Sequence, residues 1–291
     1  MAWVYEQIID IERAAARHWR GTEEEWLGGW LLRAAEGFTG RANSALPLGD
    51  PGLPLDSALD AVVGWYRDRA LPPMIVVPVP LDADSPGREL DQSLSERSWA
   101  TRPGPAFVMV ADLSDDTNPI RDHATRELPR GATFRVDTEP DQAWLARYHY
   151  RGQDRQPAVM RDVLTSAPVQ AFASIRADDD VLAIARLSIA DGWAGITAVE
   201  VDPARRRAGL GSALTGAVCA EAARREISRV FLQVETSNAA AIALYERCGF
   251  RHSHRYHYRI APTPRSPIDG VGDRPSGPGV GGDGVGDRPA G

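Results

Sequence analysis

The sequence predicts an α/β protein in which helices flank a mixed, mostly antiparallel sheet. Short apolar runs of strand length alternate with segments of helical spacing over most of the 291 residues. Three consecutive strand-like runs, at 170–176, 181–189 and 193–201, are separated by two short turns rich in Asp and Gly. Turns of that length make the three strands antiparallel neighbours.

Strands and helices also alternate in the first part of the chain. Apolar residues at helical spacing predict helices, and short apolar runs predict strands. The predicted helices are Ile8–His18, Ser57–Arg69 and Glu89–Ser95, and the predicted strands are Trp30–Arg33, Arg41–Pro47, Met74–Val79 and Phe107–Leu113. This part contains no phosphate-binding loop, metal-ligand spacing or nucleophile motif.

The order of elements is clearer between Thr133 and Ile260. A first strand leads to two helices, and the three antiparallel strands are followed by a long helix, a strand, a helix and a closing strand. These further elements are Phe134–Asp137, Asp141–Tyr150, Pro157–Thr165, Ser212–Arg225, Val230–Glu235, Ala239–Arg247 and Phe250–Ile260. Ser237 or Asn238 caps the helix that Gly249 ends.

Composition divides the chain into four parts, and the length alone predicts about two domains. The polar segment 114–132 contains two prolines and is interpreted as a linker between a domain at 1–113 and a second domain at 133–260. Gly and Pro dominate residues 261–291, in which the heptapeptide DGVGDRP occurs twice. This segment is predicted to be a disordered tail, because it has too little apolar surface to bury.

Charge and composition exclude several classes of protein. A formal net charge of -7 argues against a nucleic-acid binder, which needs a basic face. Two cysteines cannot form a disulfide scaffold, so a reducing cytoplasm is expected. No apolar run approaches the length of a membrane span, and acidic residues interrupt the apolar N-terminus, so neither a membrane segment nor a signal peptide is expected. No feature fixes an oligomeric state.

A strand, a loop and a helix at 198–213 form the first motif that points to chemistry. Pro203 ends the strand, since proline cannot donate to a sheet ladder. Gly209 and Gly211 allow the backbone to approach a ligand, and the helix that follows directs unpaired N–H groups and a positive dipole end to the same place. Three arginines, at 205–207, add positive charge. The pattern is typical of a pyrophosphate site, although an arginine cluster before an ordinary helix has the same spacing.

This motif and a second one, the capped helix at Ala239–Arg247 that ends before Gly249, together carry a family resemblance. Thr133–Ile260 resembles the GNAT superfamily of acetyl-CoA-dependent N-acetyltransferases. The matching residues are Val199, Val201 and Pro203, then Arg206, Gly209 and Gly211, then Asn238, Ala241, Leu244, Tyr245, Gly249 and Phe250. Ser237–Glu246 is similar to the ribosomal-protein N-terminal acetyltransferases. The whole chain, with Gly29–Gly52, resembles actinobacterial GNAT proteins proposed to act as N-acetylglutamate synthases, which implies a tandem GNAT-like arrangement with a degenerate N-terminal half.

The resemblance implies a role for each matching residue. Acetyl-CoA is the expected cosubstrate, and the residues expected to bind its pyrophosphate are Arg206, Arg207, Ala208, Gly209, Leu210, Gly211 and Ser212. Val199 and Val201 are expected to lie on a strand that splays from its neighbour, with the Val199 N–H donating to the thioester carbonyl. Asn238 is expected to contact the cofactor arm. Tyr245 is expected to protonate the departing thiolate, although a tyrosine beside leucine is more often a core residue.

This chain has no acid at the positions where the family has its general base. One branch has a glutamate where this chain has Gly195, and another has a glutamate at the position of Gln233, which cannot accept a proton. Two acids remain nearby. Glu235 lies on the same strand face as Gln233, and the side chain of Glu200 points to the strand face opposite to that of Val199. As the general base we expect Glu235 first, then a water relay through Gln233, and then Glu200.

The closing strand contains His252 and His254 on one face. No acid or cysteine joins them in the sequence, so a metal site is not expected. Arg255 and Arg259, or Arg41 and Arg186, could bind a carboxylate-bearing acceptor, because the guanidinium fork matches a carboxylate.

These observations predict an acyltransferase of amino-acid metabolism that moves an acetyl group from acetyl-CoA to a primary amine. A small-molecule acceptor is expected, a small amino acid or amine, with L-glutamate suggested only by the whole-chain resemblance. The alternatives are a protein N-terminal amine acetyltransferase and a non-catalytic acyl-CoA sensor. The first is suggested by Ser237–Glu246, and the second by the missing acids at Gly195 and Gln233.

Overall fold

A computed structural model describes residues 2–82, 88–149 and 157–263. Of the tail predicted at 261–291, residues 264–291 lie outside the described residues, as do the last residue of the helix predicted at Asp141–Tyr150 and the segment 151–156 that follows it. Within the described part, no helix is long and apolar enough to cross a membrane.

Two sheets form the framework. The first is small, has three strands and runs in the order β1-β2-β3; the second has eight strands in the order β4-β11-β5-β10-β9-β8-β7-β6. The strands are β1 (Glu23–Leu27), β2 (Trp30–Ala34), β3 (Leu46–Pro47), β4 (Met74–Pro80), β5 (Ala100–Asp112), β6 (Ala132–Asp137), β7 (Val169–Ala177), β8 (Asp180–Ala190), β9 (Trp193–Val201), β10 (Arg229–Glu235) and β11 (Arg251–Ile260). Neighbouring named strands are antiparallel except β9 and β10, so the predicted fold class is confirmed.

Eight helices pack against these strands in the described part of the chain. They are α1 (Ala2–His18), α2 (Leu55–Arg67), α3 (Glu89–Glu96), α4 (Ile120–Ala124), α5 (Gln142–Arg147), α6 (Met160–Leu164), α7 (Leu210–Arg224) and α8 (Ala239–Arg247). α2 illustrates why they form, because Leu59, Val62 and Tyr66 recur at helical spacing and are all buried.

The large sheet has a different helix layer on each face. Val230 and Leu232 belong to the core that includes α7, whereas the ring of Phe231 meets His18 of α1 at 4.9 Å between centroids. Successive strand residues point to opposite faces, so α7 and α1 cover opposite sides of β10.

The two predicted domains share one sheet. β4 and β5 come from residues before the predicted linker, and β11, the last strand of the second domain, lies between them. Residues Met1–Ala261 form one compact unit. The segment 114–132 therefore connects parts of a single core, and within it α4 packs on α7.

The strand predicted at Arg41–Pro47 is wrong for most of its length, since only Leu46–Pro47 forms a strand. The Asn43 side chain explains the difference: its Oδ1 accepts from the N–H groups of Ala35 and Gly37, and its Nδ2 donates to the carbonyls of Phe38 and Thr39. These bonds hold the backbone in a compact loop and replace a sheet ladder.

Candidate active site

A cleft of about 1250 Å³ opens where β9, α7 and α8 meet. The predicted residues that line it are Val199, Val201, Arg206, Arg207, Gly209, Leu210, Gly211, Ser212, Asn238 and Tyr245. Ala208 lies in the same loop but is not among the lining residues. Two motifs that are distant in sequence therefore border one cleft.

β9 separates from both neighbouring strands at this cleft. Its pairing with β10 ends at Ile196, opposite Leu232. Its pairing with β8 skips two residues between Thr197 and Glu200, where Ala198 has a φ of 53°. Val199 consequently has no register partner in either ladder, and a gap opens beside it in the cleft.

The loop before α7 directs backbone N–H groups into the cleft. Asp202 caps a short 3-10 turn at Pro203–Arg205 by accepting from the Ala204 N–H. Arg207 and Gly209 then take the left-handed conformation, with φ of 68° and 80°. α7 begins at Leu210, so its first N–H groups have no acceptor within the helix. Such N–H groups, with the positive end of the helix dipole, suit an anion.

Sequence reasoning missed one side of this cleft. His123 and Arg126, from the segment interpreted as a linker, line it together with Arg147 and His149 at the end of α5. Arg126 lies so close to Gly209 that a Cβ there would be 2.9 Å from its Cζ atom. No local pattern marks these residues, because His123 and Arg126 reach the cleft through the packing of α4 on α7, whereas Arg147 and His149 reach it from the end of α5.

Tyr245 and Asn238 are positioned by α8. Tyr245 is buried and its ring meets that of Phe250 at 6.0 Å between centroids. Burial, with a smaller effect of Cys248, raises the pKa of Tyr245 well above its usual value, so the phenol holds its proton at neutral pH. Asn238 caps α8 by accepting from the Ala241 N–H, as expected.

Glu200 has the environment of a proton acceptor. Its carboxylate accepts a hydrogen bond from the His149 backbone N–H at 2.6 Å and lies 3.3 Å from His149 Nδ1. Burial raises the pKa of Glu200, and the bonds to His149 oppose that shift. It borders the same cleft as Val199 and Tyr245.

Gln233 and Glu235 border a different space. A cavity of about 170 Å³ is lined by both residues together with Arg41. The Arg41 Nη1 donates to Gln233 Oε1 at 2.6 Å. Gln233 and Glu235 point to the same face of β10 as Phe231, because alternate strand residues share a face. The cavity therefore lies on the α1 face of the sheet.

Gly195 has no room for a side chain. A Cβ at this position would be 2.7 Å from His18 Nδ1 and 2.9 Å from Phe231 Cζ. The glutamate that one branch of the family places here is therefore replaced by the packing of α1 against β9.

The histidines of β11 and its Arg259 have partners on other elements. His252 bonds Glu246, and His254 is buried against Glu12 at 2.8 Å. Arg259 bonds Asp91, whereas Arg255 is exposed. In the described ranges, no group of three metal-ligating side chains is found.

Comparisons with known proteins agree with this geometry. The chain is 30% identical over 265 residues to the probable histone acetyltransferase Rv0428c of Mycobacterium tuberculosis, which covers 88% of this chain and 74% of that protein. A GCN5-related N-acetyltransferase from Kribbella flavida has a TM-score of 0.63 at 18% identity, over 88% of this chain and 96% of that one. A tandem GNAT protein from the clavulanic acid biosynthesis pathway has a TM-score of 0.60 at 14% identity, over 76% of each chain.

The two solved structures show the fold, which is the GNAT fold in a tandem arrangement. Residues 6–259 match the family described as "Probable histone acetyltransferase Rv0428c C-terminal". The chain belongs to this family of GNAT acetyltransferases.

Proposed function

We propose that this enzyme transfers the acetyl group of acetyl-CoA to a primary amine of a small acceptor. The observation that carries the proposal is the gap between β9 and β10, where the unpaired Val199 lies in one cleft with Tyr245 and the α7 N-terminus. Acetyl-CoA supplies an acetyl group that is activated as a thioester.

The cleft fits acetyl-CoA in charge and size. Its rim carries Arg126, Arg147, Arg205, Arg206, Arg207 and Arg247, which match the phosphate groups of the nucleotide. The N–H groups of Leu210, Gly211 and Ser212 are the donors for the pyrophosphate, and Asn238 borders the path of the cofactor arm. A volume of about 1250 Å³ leaves room for the extended arm.

The reaction forms a C–N bond and breaks the C–S bond of the thioester. In the proposed mechanism the Val199 N–H donates to the carbonyl oxygen as negative charge develops there. Tyr245 holds a proton at neutral pH and donates it to the sulfur that leaves. Glu200, and not Glu235, accepts the proton that the amine loses, because Glu200 borders the cleft that contains Val199 and Tyr245.

Transfer is direct, without an acyl-enzyme intermediate. Cys219 and Cys248 are free and buried. Burial raises the pKa of Cys248 to about 11 and the pKa of Cys219 further still, so neither thiol ionises at neutral pH. A protonated buried thiol is a poor nucleophile.

Thiol release from acetyl-CoA tests the proposal, with amino acids, polyamines and short peptides as acceptors. We expect rapid, saturable release with small amines. Release with peptides alone would instead indicate a protein acceptor, as the name of the M. tuberculosis relative indicates for that protein. Binding of acetyl-CoA with release no faster than in buffer would indicate a sensor.

The same assay identifies the base. Glu200→Gln should lower kcat by about 10²- to 10⁴-fold, the usual contribution of a general base, while the Kd for acetyl-CoA stays within about twofold. Glu235→Gln should lower kcat by less than about tenfold, because Glu235 is exposed and lies on the other cavity. A larger loss of kcat in Glu235→Gln than in Glu200→Gln would instead assign the general base to Glu235.

A further inference from the structure

The cavity of about 170 Å³ on the α1 face has no role in binding acetyl-CoA as proposed above. Thr39, Gly40 and Arg41 border it on one side, and Gln233 and Glu235 on the other. It holds the volume of about six water molecules at roughly 30 Å³ each, which is the size of a small polar molecule. Residues from before and after the predicted linker thus enclose a space beside the end of β10.

A rigid loop presents Arg41 to this cavity. The Asn43 bonds fix residues 35–43, and Thr39 is held with a φ of 62°. The Trp19 Nε1 donates to Thr39 Oγ1 at 2.9 Å, and the Arg41 Cζ lies 4.7 Å from the centre of the Trp19 ring. Arg41 is therefore positioned before any ligand arrives.

A second guanidinium lies near the same tryptophan. Arg186 is fully buried, with its Cζ 5.4 Å from the Trp19 ring. Its Nε and Nη1 donate to the carbonyls of Leu164 and His18, while its Nη2 has no hydrogen-bond partner. Burial and the charge of Arg41 lower the pKa of Arg186 to about 9, so it remains protonated at neutral pH.

The described part of the chain provides no carboxylate partner for these two arginines. Neither Arg41 nor Arg186 forms an ion pair with a described residue. Glu12, which borders an adjoining small space with Arg41, is already bonded to His254. Uncompensated guanidinium groups in a partly buried site favour the binding of an anion.

We infer that this cavity binds the acceptor of the reaction through a carboxylate group held by Arg41, which contacts Trp19 and whose positive charge the nearby Arg186 reinforces. The inference rests on the proposed function, since it names the class of amine that is acetylated. The acceptor also carries the amine that is acetylated, which is positively charged in water. An amine that carries a carboxylate, such as a free amino acid, has both charges in a molecule of this size.

This inference separates a free amino acid from a protein N-terminus. In a peptide the α-carboxylate is replaced by an uncharged amide, which gives Arg41 no anion at that position. A peptide with an amidated C-terminus could supply a carboxylate only from a side chain, so such peptides with and without an acidic first residue distinguish that source.

Thermal stabilisation of the protein measures binding without turnover, because a ligand that binds the native state raises Tm. L-Alanine, L-glutamate, their α-amides and the two kinds of peptide are the probes. We expect the free amino acids to raise Tm more than their amides do. In Arg41→Gln their apparent affinity should fall by about 10- to 100-fold, as is usual for a charge-assisted bond, and Arg41→Lys should recover part of it.

Arg69→Gln is the matched control. Arg69 also stacks on a tryptophan, with its Cζ 3.6 Å from the Trp65 ring, but it is paired with Glu23. This variant should bind the probes as the wild type does. Arg186→Met removes the second charge while keeping an apolar fit, and should also weaken binding of the free amino acids.

Equal stabilisation by amino acids and amides, or no stabilisation by any carboxylate, would overturn the inference. Stabilisation by acidic peptides alone would place the carboxylate on a side chain of the acceptor and exclude a free amino acid. The outcome is independent of the thiol assay: the proposed function fails if no amine releases thiol, whereas this inference fails on binding.

Discussion

His18 is a buried histidine of α1 that packs against Gly195 of β9. Its Nδ1 lies 2.8 Å from Ser188 Oγ, and its Nε2 lies 3.3 Å from the carbonyl of Ala190. Burial lowers the pKa of His18 to about 4, and the charge of Arg186 acts in the same direction. The ring is therefore neutral in the native protein at neutral pH and fills the space over Gly195.

Because of His18, the protein should become less stable to unfolding in mild acid. Unfolded His18 binds a proton below its ordinary pKa of 6.5, whereas the native protein does not until about pH 4. The free energy of unfolding should therefore decrease as pH falls through this window, by about 2 kcal/mol between pH 7.5 and pH 5. Urea unfolding of wild type and His18→Gln at both pH values measures the difference.

The variant should lose about 2 kcal/mol of this acid dependence. His252→Gln is the control, since His252 lies on β11 and its side chain is only partly buried. An unchanged acid dependence in His18→Gln would show that the histidine titrates normally in the native state.

Residues at the site differ in how far the sequence predicts them. Tyr245, Gly209 and Asn238 lie in short motifs, where the spacing along one loop or one helix fixes the geometry. Arg126 and His149 reach the cleft through helix packing, which local patterns do not encode. The sequence ranks Glu200 last among the candidate bases, because its position along β9 gives no information about its contact with His149.

The first turn of α7 is the element that should determine affinity for acetyl-CoA. Gly209 has a φ of 80°, and an added Cβ would lie 2.9 Å from the guanidinium of Arg126. Gly209→Ala should therefore strain the loop and displace Arg126. We expect the Kd for acetyl-CoA to rise at least about tenfold, with a loss of roughly 1 kcal/mol in stability. Isothermal titration and urea unfolding measure the two effects.

Gly64→Ala is the matched control for this element. Gly64 lies inside α2, and an added Cβ meets nothing within 4 Å. The substitution should raise stability by about 0.5–1 kcal/mol, as alanine does in a helix, and leave acetyl-CoA binding unchanged. If Gly209→Ala bound acetyl-CoA as tightly as Gly64→Ala does, the assignment of the α7 N-terminus as the pyrophosphate site would be wrong.

Most elements could be predicted from periodicity and turn residues, but β1 and α4 could not, nor could two irregular features. The bulge at Ala198 depends on the register of β9 with β8, which the sequence of β9 alone does not reveal. The loop before β3 resembles a strand in composition, yet the Asn43 side chain satisfies the backbone groups that a strand would pair. Both irregular features lie beside a cavity. The bulge at Ala198 leaves Val199 without a register partner, and the loop before β3 places Arg41 at the cavity on the α1 face.

At the scale of the whole molecule, the two halves are interleaved. β11 lies between β4 and β5, and β5 in turn pairs with β10 beside the site. The polar segment 114–132 suggested separate domains because composition does not record which strands pair across a long separation. The interleaving explains why residues such as Trp19 and Arg41 help to form a cavity beside Gln233.

The central claim is that acetyl transfer takes place in the gap between β9 and β10, with Tyr245 as the acid. The most direct test is to measure kcat from thiol release and the Kd for acetyl-CoA in wild type and Tyr245→Phe. Phenylalanine keeps the buried ring and removes only the hydroxyl. We predict that kcat falls by about 10²- to 10⁴-fold while the Kd stays within about twofold. An unchanged kcat would contradict the account, because it would place the reaction away from Tyr245.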